Sequence, residues 1–377
     1  MSIEQELKLH ILASSRSTVE KLLRTPDAET IHLHAIYFDT DDRALACAGI
    51  ALRLRKEADT WVQTIKLPGT DALSKIEYNH VRPDATLDLS VYQGTPAEET
   101  FNHLKHVGTE LTARFETDIQ RHLSCQRSQH GLVELAYDVG VIRAATLELP
   151  VYELELELKT GQSRAIFELA ASWQHELQFI LDFRSKAERG DSLANQVAAL
   201  KARGVTSNHH ELRQSLQDFK LWQPAVAPQQ GNRTDVVVSS AQLKKDTQLY
   251  LELIARNAAV IAAIDRNDMA TRIDLDCAAH LIALCQAIEQ LQRLWSHFME
   301  LNSATDVTSS SDARFHQLHQ QLSAYQQRLA QGSPATTELS HPSEQQAQSE
   351  AFALAASHEL QQWLLKALAW SMVELTV

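Results

Sequence analysis

Cysteine is scarce in this sequence, and the few cysteines follow no metal-binding pattern. The four residues, Cys47, Cys125, Cys277 and Cys285, have no CxxC spacing and no nearby pair of histidines at the spacing of zinc ligands. Reduced structural thiols are therefore expected. Long apolar runs are also missing, and the N-terminus lacks the basic and then apolar pattern of a signal peptide. Together these absences predict a cytoplasmic protein without a membrane partner.

Positive charge is in short supply as well. The chain has 35 Lys and Arg side chains against 48 Asp and Glu, which gives a formal net charge of −13. This balance argues against general binding to nucleic acid or to an anionic membrane surface. There is no GxxxxGK phosphate loop and no repeat at a solenoid period. A site for an anion must therefore be built locally, from basic side chains that the fold brings together.

The pattern of the sequence changes once along its 377 residues. Residues 1–205 contain helical patterns between eight short strands, which are predicted at residues 3–10, 31–39, 50–56, 61–67, 76–82, 115–123, 132–138 and 150–159. Residues 206–240 include the stretch "PAVAPQQGNR", whose Pro, Gln and Gly are typical of a linker. Residues 241–377 are mainly helical in pattern. We predict a strand-rich domain, a connecting segment and a helical domain.

Several predicted strands carry an apolar face and a charged face. The charged positions of "IEQELKLH" and "YELELELK" are Glu4, Glu6, Lys8 and His10 in the first and Glu153, Glu155, Glu157 and Lys159 in the second. The segment "GIALRLRK" places Arg53 and Arg55 on one face. A single half-buried strand normally turns such a face to bulk water. If the strands close into an antiparallel barrel, the apolar faces can pack outward against helices while the charged faces line a wet interior.

Six short motifs, in this order, resemble those of the CYTH family of triphosphate tunnel metalloenzymes. They are "EQELK", "YFDT", "ALRLR", "TIK", "YELELEL" and "SKAERG". The chain is similar to bacterial inorganic triphosphatases in which a CYTH domain precedes a helical CHAD-type domain. The resemblance implies an α+β protein, with a closed eight-stranded antiparallel β-barrel tunnel, covering helices and inward-facing charges, followed by an all-α helical domain.

The resemblance also implies an activity, the metal-dependent hydrolysis of inorganic triphosphate to pyrophosphate and phosphate. The basic residues at the family's substrate-binding positions are Lys8, Arg53, Arg55, Lys66, Arg121 and Lys186. The carboxylates expected to bind Mg²⁺ or Mn²⁺, which prefer oxygen ligands, are Glu4, Glu6, Asp138, Glu153 and Glu155. Water that the metal activates would attack a terminal phosphorus, with Lys8 and Glu77 as the catalytic residues.

The helical part departs from the CHAD pattern of basic, histidine-containing helices that bind polyphosphate. The segment "DLDCAAHLIALCQAIEQLQRLW" keeps His280 but has no Lys or Arg before Arg293. Residues 241–377 contain 9 Lys and Arg against 15 Asp and Glu, a net charge of −6. Because a net-negative domain binds polyanions poorly, we expect this degenerate CHAD-like domain to serve in packing or as the interface of a homodimer.

Three other functions stay open at the level of the sequence. A class IV adenylate cyclase would share the tunnel and its metals. A thiamine triphosphatase would differ in the organic group that the tunnel mouth accepts. A non-catalytic phosphate-binding module would bind triphosphate tightly without releasing phosphate from it when a metal ion is added.

Overall fold

The computed structural model of the protein describes residues 1–145, 147–202, 240–262, 277–302, 320 and 352–374. The chain forms two compact units. The first consists of Met1–Ile166 and Arg184–Phe219, and the second of Phe167–Phe183 and Lys220–Val377. The predicted linker, residues 206–240, lies outside the described residues except for its last position. The domain boundaries at 205 and 241 therefore stay predictions.

Eight strands of the first unit form a closed antiparallel barrel. They are β1 (Ser2–Ile11), β2 (Glu29–Asp39), β3 (Ala51–Glu57), β4 (Thr60–Pro68), β5 (Ser74–Arg82), β6 (Thr112–Ser128), β7 (Gly131–Ala144) and β8 (Leu147–Gly161). Their order around the barrel is β5-β4-β3-β2-β6-β7-β8-β1, and a further pairing of β1 with β5 closes it. Closure is possible because β1 changes partner along its length: residues 2–5 pair with β5, and residues 6–10 pair with β8.

The predicted eight-stranded barrel is confirmed, and each predicted strand coincides with an observed one. The last three strands, β6, β7 and β8, run longer than predicted, to 17, 14 and 15 residues. The pairing of β6 with β7 continues without interruption from Glu116 opposite Arg143 to Ser128 opposite Gly131. The ladder of backbone hydrogen bonds therefore extends these strands past the residues whose apolar and polar alternation marks them.

The helices up to residue 202 are α1 (Arg16–Leu22), α2 (Ala44–Cys47), α3 (Glu98–Val107), α4 (Arg164–Trp173) and α5 (Lys186–Ala202). Helix α2 is held by one carboxylate at the end of β2. Asp39 accepts hydrogen bonds of 2.7 to 2.9 Å from the backbone N–H groups of Thr40, Leu45 and Ala46. Oγ1 of Thr40 accepts a further hydrogen bond of 2.8 Å from the backbone N–H of Ala44, so the Asp and Thr of "YFDT" together shape this turn, as capping residues do.

An apolar core covers the outer face of β3 and β4. Leu52 of β3 and Ile65 of β4 belong to one buried cluster with Phe101 and Leu104 of α3. Leu52 and Ile65 lie on the apolar faces of their strands, so they point away from the charged side chains of the same strands. The prediction that apolar faces pack outward against helices is thus confirmed for this part of the barrel, where the burial of apolar surface stabilises the fold.

Helix α5 packs on the other face of the sheet. Its Leu193 shares a buried core with Ile119 of β6 and Val151 of β8. Residues two apart on a strand share a face, so α5 lies on the face that also carries the charged positions 121 and 153. Gly190 permits this close approach, because a Cβ there would lie 2.1 Å from a ring carbon of Phe115. Helix α5 is therefore part of the charged interior rather than an outer cover.

The second unit is helical over most of its described residues. It contains the short strand β9 (Phe179–Leu181) and the helices α6 (Ser240–Ala262), α7 (Cys277–Asn302) and α8 (His358–Ala369). The predicted helical character of the later region is thus confirmed. None of the helices in the described ranges combines the length and the apolar content needed to cross a membrane.

Buried aromatic and polar side chains join the helices of the second unit. Trp295 of α7 donates a hydrogen bond of 3.0 Å from its indole N–H to Thr247 of α6, and its ring centroid lies 5.9 Å from that of Trp363 in α8. His280 is also buried, and its Nδ1 lies 2.9 Å from Oδ1 of Asn257. These contacts hold the described helices together, while their CHAD-like character and their role in packing or dimerisation stay predictions.

Candidate functional site

The charged positions of the strands meet on the inner face of the barrel. Three pairs of opposite charge stand directly across from each other on neighbouring strands, namely Lys8 and Glu155, Lys66 and Glu77, and Arg121 and Asp138. Residues opposed in this way project from the same face of a sheet. Helix α5 brings its first residue, Lys186, to the same place. The interior therefore combines cations and carboxylates from several elements.

Asp138, Glu153 and Glu155 form a buried group that we call the carboxylate cluster. One oxygen of each lies within 4.8 Å of the others. The ammonium of Lys186 contacts all three: its Nζ lies 2.6 Å from Asp138 and 2.9 Å from Glu155, and it also pairs with Glu153. Buried charges need such partners because little water is present to solvate them. One ammonium thus stands where a metal ion could bind.

Three more cations contact the carboxylate cluster. Arg121 donates two hydrogen bonds of 2.6 Å to Asp138 and a third of 2.6 Å to Glu155. The ammonium of Lys8 lies 3.3 Å from Glu155. The guanidinium of Arg189, one turn along α5 from its first residue, also pairs with the cluster. The cluster is therefore neutralised from β1, β6 and α5 together.

These contacts determine the pKa values of the buried groups. Burial alone would raise the pKa of Glu155, but the nearby charges of Lys186 and Lys8 hold it well below its ordinary value. Burial likewise disfavours the charged form of Lys8, yet the carboxylates of Glu155 and Glu6 raise its pKa. Glu155 therefore stays ionised at neutral pH, and Lys8 keeps its proton.

A second ion-pair group surrounds Lys66 on β4. Its ammonium pairs with Glu77 and lies 3.2 Å from Glu4. Glu77 is almost fully buried and accepts a hydrogen bond of 3.2 Å from Asn79, whose side-chain oxygen accepts one of 2.7 Å from Thr64. Burial lowers the pKa of Lys66. Glu77 is therefore a fixed counter-ion for this lysine.

Arg53 and Arg55 of β3, which we call the arginine pair, have fewer acidic neighbours. Arg53 donates a hydrogen bond of 3.4 Å to the hydroxyl of Tyr37, and none of the carboxylates in the described ranges pairs with it. Arg55 donates one of 2.6 Å to Glu57. Burial and the charge of Arg53 lower the pKa of Arg55 to about 10. Positive charge is crowded here, so a bound anion would relieve repulsion.

The carboxylate cluster has the donor chemistry of a divalent-cation site. Its ligand atoms are all oxygens, which Mg²⁺ and Mn²⁺ prefer. Three of the five predicted ligands belong to the cluster, whereas Glu6 pairs with Lys8 and Glu4 with Lys66. Lys186 occupies oxygens that a metal ion would use. The residues therefore fit a metal ion that displaces this ammonium.

Two side chains of the interior were not assigned to the site from the sequence. Arg189 follows Lys186 by three residues, a spacing at which helical side chains share a face, and the motif "SKAERG" contains both. Tyr37 stacks on Phe115 with ring centroids 4.5 Å apart, yet its hydroxyl accepts a hydrogen bond from Arg53. The motif could have pointed to Arg189. No local pattern signals the Tyr37 contact, because it joins two strands.

Comparison with known proteins relates the first half of the chain to one family. The model of the CYTH domain matches residues 2–190. An inorganic triphosphatase from Haemophilus influenzae is 28% identical over 172 residues, which are 45% of this chain and 47% of that protein. The match thus spans about half the length of this curated relative.

Two solved structures are more distant. A candidate adenylate cyclase from Bacillus halodurans is 20% identical, with 47% of this chain and 91% of that chain covered and a TM-score of 0.33. A candidate adenylyl cyclase from Hippeastrum, described as having a dominant triphosphatase activity, is 16% identical, with coverages of 55% and 98% and a TM-score of 0.34. At these TM-scores neither structure bears on the chemistry of this chain. Because the family model spans half of the chain and every residue of the interior site, the chain belongs to the CYTH domain family.

Proposed function

We propose that the protein hydrolyses inorganic triphosphate to pyrophosphate and phosphate with the help of a divalent cation. One observation carries the proposal: cations from five different elements share the inner face of the barrel with the carboxylate cluster. They are Lys8, Arg53, Arg55, Lys66, Arg121 and Lys186. A triphosphate is a dense polyanion, and binding it inside a barrel needs positive charge from several walls. The name of the Haemophilus influenzae relative supports the same reaction.

The arginine pair is the proposed phosphate anchor. Its guanidinium groups present forked donors that match phosphate oxygens. Arg53 is not committed to a carboxylate of the described residues, and Arg55 would exchange its hydrogen bond to Glu57 for one to phosphate. Lys66, held by Glu77, would add a positioned charge from the neighbouring strand. Substrate would thus bind where the protein alone leaves positive charge least compensated.

Lys8 is the proposed catalytic residue, and Glu77, expected from the sequence in the same role, is the proposed positioning residue. Because its pKa is raised, Lys8 keeps its proton and would act as a fixed positive charge, stabilising negative charge on phosphate oxygens in the transition state. It is a poor proton acceptor for the same reason. Glu77 would act through Lys66, whose ammonium it pairs with.

The carboxylate cluster is the proposed site of Mg²⁺ or Mn²⁺. Glu4 and Glu6 are proposed as additional metal ligands. When bound, the cation would neutralise charge on the phosphate oxygens as a Lewis acid. Lys186, released from the cluster, would then be able to contact a phosphate oxygen. Arg121 pairs with two of the three carboxylates and would add a further positive charge to the site.

A phosphate-release panel tests this proposal. Triphosphate, ATP, thiamine triphosphate and long polyphosphate are each offered with Mg²⁺, Mn²⁺ or a chelator. We expect phosphate and pyrophosphate from triphosphate, and only with a metal ion. Formation of a cyclic nucleotide from ATP would indicate a class IV adenylate cyclase, and preferred cleavage of thiamine triphosphate a thiamine triphosphatase. Tight binding of triphosphate without release under any metal would indicate a non-catalytic module and overturn the proposal.

Two expectations about the surroundings of the protein stay predictions. One is its cytoplasmic location. The other is a homodimer formed through the helical part. The sequence has no Lys or Arg between positions 274 and 292, which argues against polyphosphate binding by this part. Light scattering of the purified full-length chain measures its mass in solution, and a monomeric mass would contradict the homodimer.

A further inference from the structure

Glu57 is the last residue of β3 and pairs with one member of the arginine pair. Arg55 donates a hydrogen bond of 2.6 Å from Nε to Oε1 of Glu57, and its Nη2 contacts the same oxygen. Glu57 thus occupies donors that the proposed function assigns to phosphate. Substrate has to compete with this carboxylate for Arg55.

Glu57 lies at the end of β3, at the edge of the barrel interior, which we call the rim. It shares the inner face of β3 with Arg53 and Arg55, since residues two apart on a strand project to one side. The side chain of Arg55 is 20% exposed and that of Glu57 is 38% exposed, so exposure rises toward the hairpin between β3 and β4. Glu57 is therefore more exposed to solvent than Arg55.

On the side of β4 and β5, the inner face beside Arg55 carries apolar side chains. Arg55 stands opposite Val62 of β4, which in turn stands opposite Val81 of β5. Val81 is 74% exposed, although its position in the strand places it on the inner face. On this side of the arginine pair, the inner face thus presents one carboxylate and two apolar side chains. A phosphate that extends past Arg55 on this side would meet negative charge and apolar surface.

We propose that Glu57 is a specificity-determining residue that favours short phosphate chains over longer inorganic polyphosphates. The inference rests on the proposed function, because it takes the interior to bind a phosphate chain between the carboxylate cluster and the arginine pair. A triphosphate held there displaces Glu57 from Arg55 and ends near it. A longer chain places additional negative phosphates beside the released carboxylate, and the repulsion between like charges weakens its binding.

The test compares Glu57→Gln with Glu116→Gln in the full-length protein. Gln keeps the shape of the side chain and removes its charge. Glu116 is a matched control, because it lies on the outer face of β6, is 40% exposed and also has an arginine neighbour, Arg143, at 3.9 Å. For each protein, kcat/KM is measured for triphosphate, tetraphosphate and long-chain polyphosphate at one Mg²⁺ concentration, and binding of the same chains is measured by calorimetry with chelator.

Glu57→Gln should raise kcat/KM for the longer chains relative to triphosphate by about threefold to tenfold, since one partly screened charge is removed. Glu116→Gln should leave the ratio as in the wild type. An unchanged or lowered ratio in Glu57→Gln, with triphosphate hydrolysis retained, would overturn the inference and leave the proposed function standing. If the wild type neither binds nor cleaves any of the chains, the proposed function itself fails.

A second variant controls for a folding defect in Glu57→Gln. Glu57→Ser shortens the side chain at a partly exposed strand end and removes the same charge. Circular dichroism compares the folded state of each variant with the wild type before kinetics are measured. The ratio should rise in both Glu57 variants, and a rise in one alone would contradict a role for the charge.

Discussion

The carboxylate cluster and the arginine pair lie in the same interior but hold their charge in opposite ways. The three carboxylates of the cluster are paired with four cations, Lys8, Arg121, Lys186 and Arg189, before any ligand binds. The arginine pair has a single acidic partner among the described residues, Glu57. A metal ion that binds the cluster would therefore have to displace an ammonium, whereas an anion that binds the arginine pair would meet charge that is only partly neutralised. Two ligands of opposite charge can thus use one interior without competing for the same side chains.

The largest effect is expected at the carboxylate cluster, whose charges are paired before any ligand binds. Glu155→Gln should lower the free energy of unfolding by about 3–5 kcal/mol, because it removes a buried anion from the cations of Lys8, Arg121 and Lys186. Urea denaturation followed by circular dichroism measures the loss. The exposed control Glu116→Gln should cost at most about 1 kcal/mol. Equal losses in the two variants would show that the buried pairing does not stabilise the barrel.

The next effect concerns the arginine pair. Arg55→Ala should lower kcat/KM for triphosphate by about tenfold to a hundredfold, the equivalent of roughly 1.5–3 kcal/mol for a charge-assisted hydrogen bond. Added Mg²⁺ or Mn²⁺ should not restore the rate, because the metal ligands are untouched. The control Arg143→Ala removes an arginine that pairs with Asp118 and Glu148 on the outer face and should keep the wild-type rate. Near-normal kinetics in Arg55→Ala would place phosphate binding elsewhere.

Competition at the carboxylate cluster can be measured without substrate. Lys186→Met removes the ammonium that contacts all three carboxylates, so Mn²⁺ should bind more tightly by about tenfold in a calorimetric titration. Lys159→Met is the control, since this lysine pairs with Glu134 and Glu157, which lie outside the cluster. Weaker or unchanged Mn²⁺ binding in Lys186→Met would mean that metal and ammonium do not share these oxygens.

The smallest effect is expected on the outer face, where charges are solvated. A hydrogen bond with His32 and one from Arg143 hold the pKa of Asp118 below its ordinary value of 3.8. A lowered carboxylate pKa stabilises the fold above the unfolded value, and this stability is lost as pH falls through the folded value. Because the side chain is 36% exposed, screening limits the contribution to about 1 kcal/mol or less.

Thermal unfolding of Asp118→Asn at several pH values checks this sign. The variant should melt slightly below the wild type at neutral pH, and the difference should shrink as the pH falls below 3.8. The pH dependence of the wild type should therefore be the steeper of the two. A difference that stays constant across the acid range would show that the Asp118 charge is not its cause.

The sequence predicted the faces of the strands because alternation is a local property. In an extended chain successive side chains point to opposite sides, so once Lys8 is inside, Glu6 and Glu4 share its face. The same reasoning placed Glu153 and Glu155 together. Strand ends were predicted less well in β6 to β8, where pairing between long neighbouring strands continues past the alternating residues. The start of α5 at Lys186 does have a local signal, because Ser185 and Glu188 form a capping box. The backbone N–H of Glu188 donates to Oγ of Ser185 at 3.1 Å, and that of Ser185 donates to Oε2 of Glu188 at 2.8 Å.

The sequence by itself determined which side chains belong to the charged faces, and only the tertiary structure decided which of them meet. Lys66 pairs with Glu4 across 62 residues of sequence, and Lys186 reaches Glu153 across 33. Both contacts depend on the register and closure of the barrel, and the second also on the packing of α5 against its inner face. Register is set by backbone pairing between strands that are distant in sequence, so no local pattern encodes it.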